Sequence, residues 1–488
     1  MATPRKWYRR VLITLIVVAV LWVGLAGVAW WKFFHTEQQV FADEQARFQY
    51  GTLDGEVLAG IPYPIFMILP RIFPDLVAQY ATRGYGPEKP GWGGYGAFGL
   101  AWEQGQRLPV GLSIRRVGYE RVTMNCALCH TATYRLTADA DRVVVTGGPS
   151  HTMDLQNLLR FLFAASHDAR FTAARMLPEI AVHFPLDWLD WQIYSFYLIP
   201  STRLALHLAE HEVGWMEQKP PWGPGRDDPF NLPKFILLQQ AWDHTVGNTD
   251  FPPLWGLKGR EGQLLHTSGE AKTLYAVTAT SAFGIGSPPN SGFRDRNEWI
   301  DDFLAALPVP KYPGKVDATR AARGQVIYAA QCSACHSPGG ARTGTAIPLA
   351  EIGTDPGRAN SWTDSDADKM NLLTGALGMT GAALQGGHGY VAKPLAGVWL
   401  LGPYLHNGSI PSLTDLLSPP TNRPAVFYRG YDVLDPDNGG FISTGPAAEA
   451  VGFRYDTSLQ GNANSGHTYG TTLSPDERRD LIEYLKTL

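Results

Sequence analysis

The sequence predicts a mainly α chain with long irregular loops, built as one N-terminal membrane-crossing helix followed by two modules. Three observations predict this. An uncharged run of 21 residues extends from Val11 to Trp31, the pentapeptide Cys-x-x-Cys-His occurs twice, and helix signals bracket the second copy. The 52 Gly and 36 Pro point to loops between the helices rather than a plain helix bundle.

The first element is the apolar run. Arg5, Lys6, Arg9 and Arg10 precede it and Lys32 ends it. A helix needs ~20 apolar residues to cross the ~30 Å hydrocarbon layer. Trp7 and Tyr8 flank one end, and Trp30, Trp31, Phe33 and Phe34 the other, as interfacial aromatics do. The basic flank keeps the N-terminus cytoplasmic and sends the rest across a bacterial inner membrane into the periplasm. A cleaved signal peptide is the competing reading, since Gly27-Val28-Ala29 offers small residues for a peptidase. The run exceeds the usual ~7–15-residue apolar core of such peptides, which favours an uncleaved single-pass anchor over residues 1–37.

Residues 38–307 form the first module. Gln38 to Tyr50 reads as a polar, helical connector, Gly84 to Gly99 as loop, Arg142 to Thr146 as a strand and Asp154 to Phe163 as an amphipathic helix. Phe161 to Val213 is the most apolar stretch after the anchor, with Trp188, Trp191, Tyr194, Phe196 and Tyr197 close together. Buried helices and a membrane-dipping surface are both compatible with it; the lack of a continuous apolar run favours the core. Arg296 to Leu307 has a helical apolar pattern, which the linker 308–316, opening Pro308-Val309-Pro310, then breaks.

Residues 317–488 form the second module. Asp317 caps a helix over Ala318–Ala330 that delivers the chain into Cys332. Ser474-Pro475-Asp476-Glu477 is a capping box with Pro at the first helical position, and Leu481, Ile482, Leu485 and Leu488 give the following helix an apolar stripe.

The chemistry lies in the pentapeptides. All four cysteines of the chain fall in Cys126-Ala127-Leu128-Cys129-His130 and Cys332-Ser333-Ala334-Cys335-His336. Two thiols three positions apart reach the two vinyl groups of one haem and form thioethers, and the next residue brings an imidazole under the iron. A zinc site would set its knuckles roughly 12–20 residues apart; here about 200 residues intervene. A thioredoxin-like dithiol lacks its βαβ setting and has no need of the histidine. Two covalently bound haem c groups follow, with His130 and His336 as iron ligands. A helix before the motif and an amphipathic helix closing the module are what a cytochrome c fold requires. The second haem's other ligand should come from Met370, Met379, His388, His406 or His467. His467 ranks first, because the polar Gly461–Gly470 loop that carries it immediately precedes the closing helix. No residue is singled out for the first haem, in keeping with an open site. With 41 basic against 45 acidic residues and no basic run past the first ten, nucleic acid is not an expected partner.

Pro394-Leu395-Ala396-Gly397-Val398-Trp399, Gly402-Pro403-Tyr404-Leu405-His406-Asn407-Gly408-Ser409-Ile410-Pro411-Ser412-Leu413 and Phe427-Tyr428-Arg429-Gly430-Tyr431-Asp432 stand in order before the Gly461–Gly470 loop. In these motifs the C-terminal module resembles that of the rubber-oxygenase-type di-haem c-type cytochromes, relatives of the bacterial di-haem cytochrome c peroxidases. Gly247-Asn248-Thr249-Asp250-Phe251-Pro252-Pro253-Leu254-Trp255 and the stretch around His266 extend the likeness over roughly residues 110–488. The resemblance implies two cytochrome c-like modules with haems close enough to exchange electrons. It implies an oxygen- or peroxide-reactive first haem and a second haem with two protein ligands. Carried over by position, the Gly-His-x-Tyr-Gly loop makes His467 the partner of His336, leaves His406 as a pocket residue, and suggests Phe283 as the aromatic over the first haem. No Met follows Met379, which excludes the Met ligation of the peroxidases.

The expected function is a membrane-anchored periplasmic oxidoreductase of dioxygenase or peroxidase type. Its expected partners are the inner membrane, a periplasmic redox protein and a small oxidant, oxygen or peroxide. The alternative is a non-catalytic di-haem electron carrier.

Overall fold

The computed structural model describes residues 4–81 and 94–488. Most of the loop expected over 84–99 lies outside them. Its described end is a short 3-10 helix, Tyr95–Phe98, buried against the first core, where Tyr95 stacks on Phe66 and donates its hydroxyl to the Phe66 carbonyl.

The chain is mainly helical. It opens with the helix Pro4–Phe33, whose 27-residue apolar part, Trp7–Phe33, is long enough to cross a membrane and is not buried by the rest of the chain. The helix does not leave on a free connector. Lys32 pairs with Asp187 and Asp190, Phe33 sits edge-on to Tyr119 and Tyr197, and Thr36 bridges Val117. The connector expected from Gln38 is therefore only partly helical: its helix is Glu44–Tyr50, capped by Asp43, and the residues before it run irregularly.

A three-stranded antiparallel sheet, in the order Ile61–Pro62, Tyr119–Met124, Leu112–Val117, carries the chain to the first pentapeptide. Its apolar side packs on the helices Tyr63–Ile72, Leu155–His167 and Ala173–His183 in the largest core of the molecule. Val143–Thr146 is a strand and pairs with Thr131–Tyr134, directly behind His130. A second core lies under the helices Leu274–Gly284 and Phe293–Ala306.

In the C-terminal part, Ala318–Gln331 crosses Pro475–Leu485, the most closely packed helix pair among the described residues. The approach is possible because Gly324 has no side chain: a Cβ there would strike the Asp480 carbonyl. Arg320 and Arg323 bind the Asp480 carboxylate at 2.9 and 2.6 Å, and the capping box of Ser474 and Glu477 forms. The two halves interlock. Asp432 is 1% exposed and takes both Arg135 and Arg142, while Arg429 reaches Asp250 at 2.7 Å and Arg226 reaches Asn462 at 2.7 Å.

The segment 161–213 departs from the favoured core reading. Tyr194, Leu198 and Leu206 are buried, but Trp188, Phe196, Tyr197, Leu204 and Leu208 project from the body. Helical periodicity places apolar residues on a face without saying what covers that face.

Candidate functional site

The first pentapeptide is held from both sides. Asn125 caps the short helix Cys126–Cys129 by accepting from Ala127 N–H, and its amide donates to the carbonyls of Gln49 and Gly51. Gly111, at φ +90°, lies against the Leu128 backbone, where any Cβ would collide. His130 Nδ1 is 2.9 Å from the Pro252 carbonyl, so this nitrogen carries the proton and Nε2 is left free to bind a metal. Burial lowers the His130 pKa to about 4, keeping the ring neutral as a ligand must be.

Cys126, Cys129 and His130 open onto a cavity of about 520 Å³. Its opposite walls come from Leu254 and Trp255, from Ser281, Gly284 and Ile285, and from Ile300 and Leu304. Burial pushes the Cys126 thiol up to about 11 and Cys129 well above its ordinary value. Such thiols are poor thiolate ligands and poor redox dithiols, whereas thioether formation consumes the proton-bearing sulfur. Among the described residues no group of three or more His, Cys, Asp or Glu converges as a metal cage. An apolar cavity edged by two thiols and one oriented imidazole fits a covalently attached haem.

Three polar residues stand out in the cavity lining, and of these only His266 lay in a stretch the sequence singled out. Asp227 faces the cavity, and burial together with the neighbouring Asp228 raises its carboxyl to about 7 against the opposing charge of Arg358. His266, at φ +61°, lines it beside His130; burial lowers its pKa to about 4 and its ring has no hydrogen-bond partner among the described residues. Arg358 pairs with Glu270 at 2.9 Å, both side chains almost wholly buried. Phe283 is not part of the lining. It packs half-buried behind Ser281 and Gly284, between two apolar clusters.

The second pentapeptide repeats the proximal arrangement: His336 Nδ1 is 2.7 Å from the Lys393 carbonyl, leaving Nε2 free. The difference is on the far side. The His467 ring lies 6.2 Å from the His336 ring, centroid to centroid, at 47°. That gap takes one metal ion with two metal–imidazole bonds of about 2 Å. Arg423 braces the His467 loop, donating to the carbonyls of Asn464 at 2.6 Å, Gly466 at 2.8 Å and His467 at 3.2 Å. His467 N–H in turn donates to the Ile352 carbonyl. His406 is half-buried and stacked on Tyr390 at 3.8 Å, whereas the ring found against His336 is that of His467. His388 and Met379 are placed elsewhere: His388 is exposed beside Asp364, and Met379 is buried in the core under Leu274–Gly284.

The two sites adjoin. Lys393, Pro394 and Ala396 line the first cavity, yet the Lys393 carbonyl orients His336. Trp255 lines the same cavity and donates its indole N–H to Ala396 at 2.8 Å, with its ring against Gly397.

Residues 389–428 match a family described as "RoxA-like, cytochrome c-like". Two relatives come from Sinorhizobium fredii (strain NBRC 101917 / NGR234). Uncharacterized protein y4iM is 31% identical over 286 residues, covering 49% of this chain and 64% of the relative. Uncharacterized protein y4iJ is 30% identical over 253 residues, covering 38% of this chain and 42% of the relative. The chain thus spans less than two thirds of either relative's length. The RoxA-like segment, which ends the wall shared by the two sites, supports a RoxA-like cytochrome c and implies covalently bound haem c.

Proposed function

We propose that this chain is a membrane-anchored, periplasmic di-haem c-type cytochrome with oxidoreductase activity. Cys126, Cys129 and His130 would hold a haem open to oxygen or peroxide, and Cys332, Cys335, His336 and His467 would hold one suited to relaying electrons. The observation that carries this reading is the asymmetry between the sites: one opens on a cavity of about 520 Å³, the other is closed by an imidazole 6.2 Å from its partner.

Haem, when bound, supplies one-electron and oxygen chemistry. The chain's residues supply the rest. Pro252 and Lys393 carbonyls fix the tautomer and orientation of the two proximal histidines. The apolar walls of the first cavity limit water, and Asp227, raised to about 7, can hold or release a proton there. Trp255 and the irregular segment 393–397 would hold the two cofactors close, a short path for electrons.

A second reading, a non-catalytic electron carrier, is favoured by His266, whose unpartnered buried ring is available to a metal in the first cavity. Absorption and paramagnetic-resonance titration of the purified full chain with cyanide, carbon monoxide and peroxide separates the two. A high-spin first haem that shifts with these ligands supports the enzyme. Two low-spin haems indifferent to all three establish the carrier, and His266→Ala then turns the first haem high-spin.

A further inference from the structure

The helical run that starts at Trp188 is apolar on two opposite faces. It consists of Trp188–Ile193, a π-helical turn Tyr194–Leu198, and Ile199–Val213, with no break between them. At 1.5 Å per residue the run is about 39 Å long. Its inner face packs into the largest core through Tyr194, Leu198, Ile199 and Leu206. A helix lying between core and water should be polar on its other side. Here the other side presents Trp188 at 76% exposure, Phe196 at 80%, Tyr197 at 50%, Leu204 at 59% and Leu208 at 60%.

The polar side chains of the run have turned the opposite way. Between Trp188 and Ala209 the only acid and base besides His207 are Asp190 and Arg203. Asp190 is tied to Lys32 and accepts from the Tyr119 hydroxyl at 3.0 Å. Arg203 donates inward to the Ser166 carbonyl at 2.7 Å, and His207 bonds the same carbonyl at 2.9 Å. The outer face is left without an unpaired charge. The extra residue of the π turn sets Phe196 and Tyr197 side by side on it, continuing the stripe from Trp188 and Trp191 to Leu204 and Leu208.

The position of this face identifies its occupant. Its first turn is clamped to the end of the Pro4–Phe33 helix: Lys32 binds Asp187 at 3.2 Å and also Asp190, and the Phe33 ring meets Tyr197 at 5.8 Å. Trp30 and Trp31, 56% and 49% exposed, immediately precede Lys32, where aromatic side chains mark the head-group layer. The run therefore leaves the anchor at interfacial depth.

We propose that the outer face of Trp188–Leu208 rests in the head-group layer of the bilayer that the N-terminal helix crosses, giving the body a second, monotopic membrane contact. The proposal rests on the reading of Pro4–Phe33 as an anchor. Trp and Tyr sit at the boundary and Phe196, Leu204 and Leu208 reach the acyl chains, as in an in-plane amphipathic helix. Because the face has no basic cluster, its binding draws on apolar burial and not on anionic lipid.

The test is photo-crosslinking of the full chain in nanodiscs of phosphatidylcholine alone. Benzoylphenylalanine replaces Leu21 in the anchor, Phe196, Leu204 or, as control, Leu372, which is 77% exposed in the C-terminal part. Each variant is first checked for the wild-type haem spectrum. Lipid adducts at Phe196 and Leu204, and none at Leu372, are expected. Adducts at Leu21 without any at 196 and 204 overturn the proposal and leave the anchor standing. Crosslinks between chains at 196 and 204 overturn it in favour of a second copy. If Leu21 gives no lipid adduct the anchor reading fails, and adducts at 196 and 204 still decide the surface. A matched run in nanodiscs with anionic phosphatidylglycerol should give the same yields; a yield that appears only there rules out an apolar contact.

Discussion

The two Cys-x-x-Cys-His sites are alike below the iron position and unlike above it. Each proximal histidine is oriented by a backbone carbonyl from a distant loop, Pro252 for one and Lys393 for the other. Above, the second site is stoppered by His467, whose loop Arg423 ties down at several carbonyls. No ring braced in this way closes the first site among the described residues; its cavity wall carries Asp227 and His266, neither of them tied by a side-chain partner. A buried imidazole braced by a buried guanidinium is a device for holding one geometry. A cavity with loosely held polar groups is a device for admitting a small molecule.

The largest test of the comparison removes one cofactor. Cys126→Ser together with Cys129→Ser should halve the haem content and abolish oxygen or peroxide turnover, with the low-spin signal of the second haem intact. Pyridine haemochrome content and turnover check it; activity surviving on one haem would place the reaction at the wrong site.

Next in size is His467→Ala. The second haem should become high-spin and bind external imidazole, which restores the low-spin signal, while cyanide binding at the first haem is unchanged. A second haem that stays low-spin would assign the ligand elsewhere, with His406 the nearest alternative by burial.

The cavity acid provides a pH test. Asp227 is raised in the folded chain to about 7, from about 3.9 in an unfolded one. Below pH 4 both forms are protonated and nothing is lost. As pH rises from about 4 to about 7 the unfolded carboxyl ionises first, so stability falls, and it levels above 7. The loss is on the order of 4 kcal/mol at most by linkage. Asp227→Asn should flatten this part of the pH–Tm curve and raise Tm at pH 8. A parent curve that rises with pH over the same window would place the carboxyl in a different environment.

Much of this was legible from sequence, and the rest was not for physical reasons. The pentapeptides, the Asp317 cap and the Ser474 capping box are local patterns, and each forms with its own neighbours. Pro252 and Lys393 act through carbonyl oxygens 122 and 57 residues from the histidines they orient, and a carbonyl has no letter in the sequence. Arg423 is hidden for the same reason. Phe283 illustrates the complementary error: one position along a helix turns a side chain from cavity to core. The Trp188–Leu208 stripe has the period of a core helix, and only its neighbours show that one side is bare.

Arg423→Ala comes next in size. Arg423 is 6% exposed and spends its donors on backbone carbonyls, so truncation leaves several buried acceptors unpaired. A loss of about 3 kcal/mol is expected. Unlike a simple packing defect, it should also mix high-spin character into the second haem alone, because the His467 carbonyl is among those released.

The smallest effect is expected at the rim of the second site. Arg342 binds Glu351, which also accepts from the Tyr469 hydroxyl at 3.2 Å, two residues from His467. The pair looks like a latch on the ligand loop, but Arg342 and Glu351 are about two-fifths exposed, and such pairs are screened by water and salt. The closed geometry of this site is carried by the buried Arg423 contacts and the His467–Ile352 backbone bond beneath it. Arg342→Ala should therefore leave both haem spectra and Tm unchanged. A high-spin shift in this variant would mean that the second site is closed from its surface, and that the two sites differ in a removable contact more than in their cores.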